Sequence, residues 1–341
     1  MITENEGFYW LTTEHTAYGF QVLETGHLEH LYYGPKIRVK DPSALSEKCA
    51  FGLGNTIAYD AAHENLSLEN MRLEMSSYGK GDIREPFVEI TYADGSFSSD
   101  FKFDHADIME EKEAYETLPG SYATEEEGVE QLTVVLKEQA SPVYLELHYY
   151  VYEKSDVITR SAKLCNEGDT PIRLRRLLST QLDFSDHDYV VSDFHGGWAR
   201  EMERTDTRIT AGKFVNASYT GGSSSRANPF LMLSRENTTE EAGLCYGMNL
   251  IYSGNHYTAV EVGSFGKTRV VMGINPQSFC FYLEPKKTFE APEAVMTVSA
   301  DGFGGMSRNM QYFVQEHIIR GEWKKKERPV LLNSWEAAYF D

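Results

Sequence analysis

The sequence predicts a mainly β protein. A large antiparallel β-sandwich is followed by one amphipathic helix and then by a short strand of the kind found in parallel barrels. Three observations point to this. Short β-type segments succeed one another from about residue 20 to 300, separated by clusters of Gly, Asn, Asp and Pro. The apolar residues switch to helical spacing once, between Gly304 and Ile319. Finally, the apolar triplet Val330-Leu331-Leu332 stands between Pro329 and Asn333-Ser334, the pattern of a strand buried on both faces.

Taken in order, Gln21 to Tyr33 is broken by Thr25-Gly26 and suits a hairpin. Arg84 to Tyr92 and Ser96 to Phe103 flank Ala93-Asp94-Gly95, which predicts a second hairpin. Gln131 to Gln139 and Val143 to Tyr152 flank Ala140-Ser141-Pro142. In the latter, Val143, Leu145, Leu147, Tyr149 and Val151 share one face at period two. Asp156 to Cys165 and Ile172 to Phe184 follow, parted by the turn cluster 166–171. Pro229 to Ser234, Ala242 to Tyr252, Tyr257 to Val262, Thr268 to Ile274 and Ser278 to Leu283 continue in kind. Gly221-Gly-Ser-Ser-Ser225 is a flexible loop, too short to link domains. No fixed-period repeat is visible, which disfavours a propeller or solenoid. In the helical stretch, Met306, Met310, Phe313, Val314 and Ile318 form the apolar stripe. Basic residues Arg320, Lys324, Lys325 and Lys326 follow it, where they complement the helix dipole.

Composition narrows the function. The chain has 341 residues, 13% of them aromatic, and a formal net charge of −20 from 52 acidic and 32 basic residues. That balance argues against nucleic-acid and anionic-membrane partners, which require basic patches. Cys49, Cys165, Cys245 and Cys280 are far apart in sequence, which predicts buried free thiols rather than disulfides or zinc. The acidic N-terminus lacks the basic and apolar regions of a signal peptide, and no apolar run is long enough to span a membrane. A soluble, cytoplasmic protein is the expectation.

Candidate chemistry is sparse. No HxH, HExxH or Cys/His spacing suggests a metal, and neither Gly52-Leu53-Gly54-Asn55 nor Gly302-Phe303-Gly304-Gly305 carries a nucleotide-loop lysine. No cofactor is expected. Asp193-Phe-His-Gly-Gly-Trp198-Ala-Arg-Glu201 reads either as a packed turn or as a rim loop over a cleft. Asn333-Ser334-Trp335-Glu336 lies just beyond the terminal apolar run. Residues at that end of a barrel strand face the active site, and an indole there offers a flat surface to a sugar ring. An ordinary buried tryptophan fits the spacing equally well. Glycoside hydrolysis needs two flanking carboxyl groups, and no pair stands out among the many acidic residues.

The chain resembles the N-terminal region of bacterial α-galactosidases of glycoside hydrolase family thirty-six. The resemblance rests on 193–201, on Gly263-Ser-Phe-Gly-Lys-Thr-Arg-Val-Val-Met-Gly-Ile-Asn-Pro276, on Ala291-Pro-Glu-Ala-Val-Met296, on Gly305-Met-Ser-Arg308 and on 328–341. It implies an N-terminal supersandwich over 1–300, a linker helix over 301–327 and the first strand of a (β/α)8 catalytic barrel over 328–341. The implied reaction is retaining hydrolysis of terminal α-galactosides such as melibiose, raffinose and stachyose. The nucleophile of that family lies in a Lys-Trp-Asp motif on a later strand, which these residues do not contain, so no catalytic residue is assigned here. Trp335 matches the family's sugar-stacking tryptophan. Trp198, Asn55 and Asp60 are further substrate-side candidates, the latter two from a loop over Cys49 to Asp60 that would close a neighbour's site in a tetramer. The implied partners are the α-galactoside, the chain's own barrel and further copies of itself. Two other readings are a stand-alone carbohydrate-binding module, which needs a platform of exposed aromatics, and a purely structural protein.

Overall fold

A computed structural model describes residues 1–48, 52, 54, 56–223 and 226–339. Four strands, β1 (Ile2–Asn5), β2 (Phe8–Thr12), β3 (Thr16–Val22) and β4 (Leu28–Pro35), form an antiparallel meander. Next come β5 (Val88–Thr91), β6 (Phe101–Met109), β7 (Glu130–Glu138), β8 (Val143–Tyr152), β9 (Val157–Asn166) and β10 (Ile172–Phe184). After these lie β11 (Val190–Gly197), β12 (Arg200–Arg208), β13 (Gly212–Ala217), β14 (Ala227–Ser234) and β15 (Cys245–Ile251). The series closes with β16 (His256–Val262), β17 (Thr268–Ile274), β18 (Phe281–Leu283), β19 (Lys287–Glu290) and β20 (Glu293–Ser299).

These strands build two further antiparallel sheets. A ten-stranded sheet runs β12-β11-β14-β15-β20-β9-β8-β7-β6, with β19 also on β9. A six-stranded sheet runs β13-β16-β17-β10-β18, with β5 also on β10. The meander and the six-stranded sheet share one core with the inner face of the large sheet. Aromatic contacts mark the join: Phe20 stacks on Tyr149 at 5.2 Å between centroids, and Phe184 meets Tyr246 edge-on at 5.0 Å. The sandwich is therefore as the sequence predicts, and residues 143, 145, 147, 149 and 151 all point into that core.

The large sheet is covered on its other face too. There Tyr150, Tyr152, Val157, Met232 and Val295 pack against helix α1 (Gly302–Phe313) through Met306, Met310 and Phe313. The helix lies so close that a Cβ on Gly247 would sit 2.4 Å from Met306 Sδ, which is why β15 carries glycine there. At residues 314–318 the helix widens into a π-turn, a local feature that shifts the buried stripe. Val314, expected in the apolar stripe, is exposed, and His317 is buried in its vicinity, with Nε2 2.9 Å from Glu127 Oε2 and Nδ1 2.8 Å from the Tyr122 carbonyl.

Two other expectations need correction. The turn at Ala93-Asp94-Gly95 forms, with Tyr92 N–H donating to Ser96 O at 2.8 Å, but it does not close a hairpin. Its flanking strands part, β5 joining β10 and β6 joining β7. The cysteines are free among the described residues, yet only Cys245 is buried; Cys165 is half-buried and Cys280 exposed. Residues 328–334 run as irregular chain without a ladder partner among the described residues. The structure also contains β1, β2, β11, β12, β13, β19 and β20, which the apolar pattern did not signal. No helix among the described residues is long and apolar enough to cross a membrane.

Candidate functional site

The sequence-derived candidates occupy different parts of the architecture. Trp335 opens the short helix α2 (Trp335–Ala338). Asn333 Oδ1 accepts the Trp335 N–H at 3.0 Å, and Ser334 O accepts the N–H groups of Ala337 and Ala338. The polar pair thus turns the chain out of its extended path and presents the indole, which is 49% exposed and meets Tyr339 edge-on at 5.8 Å. Just before it, Val330 is fully exposed and Leu331 and Leu332 are 84% and 92% exposed.

Trp198 sits at the tip of the β11–β12 hairpin, 94% exposed, with Ala199 in the left-handed region at φ +61°. The segment is a turn between two strands, and its ring projects from that turn into solvent. Asp60 ties its own loop: Oδ1 accepts from the Ala62 and His63 N–H groups at 2.9 and 2.8 Å, and lies 2.7 Å from His63 Nδ1. The His63 hydrogen bond holds the Asp60 carboxyl below its usual range. Asn55, together with Cys49, lies outside the described residues.

Buried charges form a second, internal assembly. Arg160 and Glu74 are wholly enclosed between the sheets. Glu74 accepts from the hydroxyls of Tyr18 and Tyr149 at 2.7 and 2.6 Å, and His30 Nδ1 lies 2.6 Å from it. Arg160 donates to Tyr18 Oη at 2.9 Å and to the Gln181 carbonyl at 2.7 Å. Nearby, Asp183 receives Arg269 Nε and Nη2 at 2.8 and 2.7 Å, while Asp82 receives Arg84 Nε at 2.8 Å and lies 3.0 Å from Arg269 Nη2.

Asp82 and Asp183 are a carboxylate pair, but not of the hydrolytic kind. Their side chains are almost completely buried and both are held by arginines. Burial pushes the Asp183 carboxyl up, but Arg269 and Arg84 outweigh it and hold it below its usual range. A general acid needs the opposite shift and an open path to substrate. This quartet is a structural frame, as is the Glu74–Arg160 network.

Comparison with known proteins gives the frame its context. Residues 26–284 match the glycosyl hydrolase family 36 N-terminal domain, and residues 288–341 match melibiase. The chain belongs to glycosyl hydrolase family 36. It is 35% identical to alpha-galactosidase AgaA of Geobacillus stearothermophilus, over 95% of this chain and 44% of that relative. The crystal structure of the Lactobacillus brevis alpha-galactosidase matches with a TM-score of 0.94 at 35% identity, covering 98% of this chain and 45% of that one. A variant of the G. stearothermophilus enzyme in complex with raffinose matches with a TM-score of 0.94 at 34% identity, over 98% of this chain and 46% of that one. The chain thus spans under half the length of these relatives.

Proposed function

We propose that these residues are the N-terminal part of an α-galactosidase that hydrolyses terminal α-galactosides of the raffinose kind with retention of configuration. In this reading residues 1–300 are the supersandwich, 301–327 the connector and 328–341 the opening strand of the catalytic barrel. The observation that carries it is the exposed run Val330–Leu332 leading into a half-exposed Trp335. Covering such side chains stabilises by about 1.5–3 kcal/mol each, and parallel barrel strands with their helices provide that cover on both faces. Trp335 then lies beyond the strand's C-terminal end, where its ring stacks on the galactose.

The sandwich's part is mechanical. It anchors α1 and the π-turn through the buried stripe and the His317–Glu127 contact, and so fixes where the following strand begins. Trp198 on its projecting hairpin is a substrate-side rim residue, and the loop bearing Asn55 and Asp60 closes a neighbouring copy's site in a tetramer. The expected compartment is the cytoplasm.

The 341 residues alone should release no galactose from raffinose above a heat-killed control; turnover would refute the assignment of catalysis to a barrel. Fused in frame to the barrel of the G. stearothermophilus relative, the chain should support hydrolysis, and Trp335→Ala in that fusion should raise KM at least about tenfold. A soluble but inactive fusion would overturn the reading.

A further inference from the structure

We propose that a cleft lined by β5, β10 and the segments that follow β13 and β17 is a second saccharide site, one that binds a neutral oligosaccharide without cleaving it. This goes beyond the barrel reading above, since every residue involved belongs to the sandwich. The cleft encloses about 490 Å³, within the range of about 300–1,000 Å³ that small-molecule sites occupy. A protein-to-protein contact needs no such hollow, which favours a compact ligand over a second copy of the chain.

Its walls are aromatic and open. Tyr78 and Phe97 stand on one side with ring centroids 5.5 Å apart, 49% and 56% exposed. Tyr219, 58% exposed, stands among the other lining residues. Rings left this open in a hollow offer flat apolar faces to the C–H faces of sugar rings at low conformational cost. The backbone that leads into Tyr219 is fixed: Asn275 Nδ2 donates to the Ser218 carbonyl at 2.9 Å, and Ser218 N–H donates to the His256 carbonyl at 3.0 Å.

The polar groups have been left available by the fold itself. Strand β10 pairs with β5 through Leu174↔Ile90 and then Arg176↔Glu89, so Arg175 is an extra residue with no partner across the ladder. Such a bulge re-aims the side chain it carries. Arg175 lines the cleft, and among the described residues it makes no ion pair and no hydrogen bond. That contrasts with Arg176 beside it, which lies 2.7 Å from Glu89 and also contacts Glu85. A free guanidinium fork suits vicinal hydroxyls. Glu89, partly exposed, and the exposed Gln277 add an acceptor and an amide at the rim. With Arg176 and Glu89 paired to each other, Arg175 and the Gln277 amide offer donors and an acceptor with no second free cation among the described lining residues to hold an anion, which suits a neutral polyol.

The test is a titration of the 341-residue chain with stachyose, read by calorimetry and by the tyrosine resonances. Saturable binding in the millimolar range is expected, weakened at least about tenfold by Arg175→Ala and by Tyr219→Ala, with unfolding midpoints unchanged. Absence of saturation up to about 50 mM would overturn the proposal. So would binding that both variants retain, which would put the sugar elsewhere. Variants that abolish self-association without touching sugar binding would assign the cleft to a second copy instead. The readout is binding alone, so an inactive fusion with intact binding faults only the hydrolase reading, and an active fusion without it faults only this one.

Discussion

At the centre of this molecule lie Arg160, Arg269, Glu74 and Asp183, each almost or wholly inaccessible to water, while at the start of its last segment Val330, Leu331 and Leu332 stand in solvent. Each placement costs free energy when taken alone. The difference lies in where the partners are. Every central charge meets its counter-charge or a carbonyl or hydroxyl within the same chain, whereas the leucines face solvent among the described residues. One region is complete in itself, and the other exposes apolar side chains to water.

Removing one central partner should have the largest effect. Arg269→Met leaves Asp183 and Asp82 with Arg84 alone, one guanidinium for two buried carboxylates, and uncompensated buried charge costs about 3–5 kcal/mol. Urea unfolding should show that loss, a large part of the 5–15 kcal/mol or so that holds an ordinary domain. Arg269→Lys should recover only part of it, because an ammonium cannot span both carboxylates. A loss under about 1 kcal/mol for the methionine variant would mean the centre is far less self-contained than its distances suggest.

Acid should destabilise the sandwich in two stages, one outside this centre and one within it. His256 is buried between Asn216 and Ser223, and burial pushes its imidazole down to about 4. The unfolded imidazole, near 6.5 or so, takes its proton first, so this contribution is present above about pH 6.5 and is lost as pH falls toward 4. For Asp183, burial raises the carboxyl and the flanking arginines outweigh it, so its contribution holds above about pH 3.9 and is lost only below. His256→Gln should flatten the decline of the unfolding midpoint between about pH 6.5 and 4 and leave the lower limb intact. An unchanged upper slope would exclude His256 as its source.

How far each region was legible follows from how local its causes are. The β7–β8 hairpin was readable because alternation and turn lie within one stretch, and helix α1 because its stripe repeats along the chain. The central charges were not, since Arg160 meets Glu74, and Arg269 meets Asp183, across 86 residues in each case. Strand β12 escaped because it is an edge strand exposed along nearly its whole length, so it carries charges in place of an apolar face. Arg175 in the cleft was equally hidden, because a bulge is a property of two strands in register. Of the proposed substrate-side residues, Trp335 and Trp198 were legible as types and positions. Their exposure was not, being decided by what packs on them.

The smallest expected change falls on the other side of the comparison. Leu331→Ser alters a side chain with almost no cover, so the unfolding free energy should move by no more than about 0.5 kcal/mol. Yet the same substitution removes apolar surface that water meets directly, and isolated chains bury such surface against one another. Light scattering of the variant should therefore show less self-association than the parent at equal concentration, with equal urea midpoints. Stability and association would then be separated at one residue, which is what an uncovered docking segment requires. If Leu331→Ser instead lowered the midpoint as a core substitution does, by about 2 kcal/mol or more, the run would be packed against the sandwich in solution. The contrast between a finished centre and an uncovered segment would then fail at its weaker end.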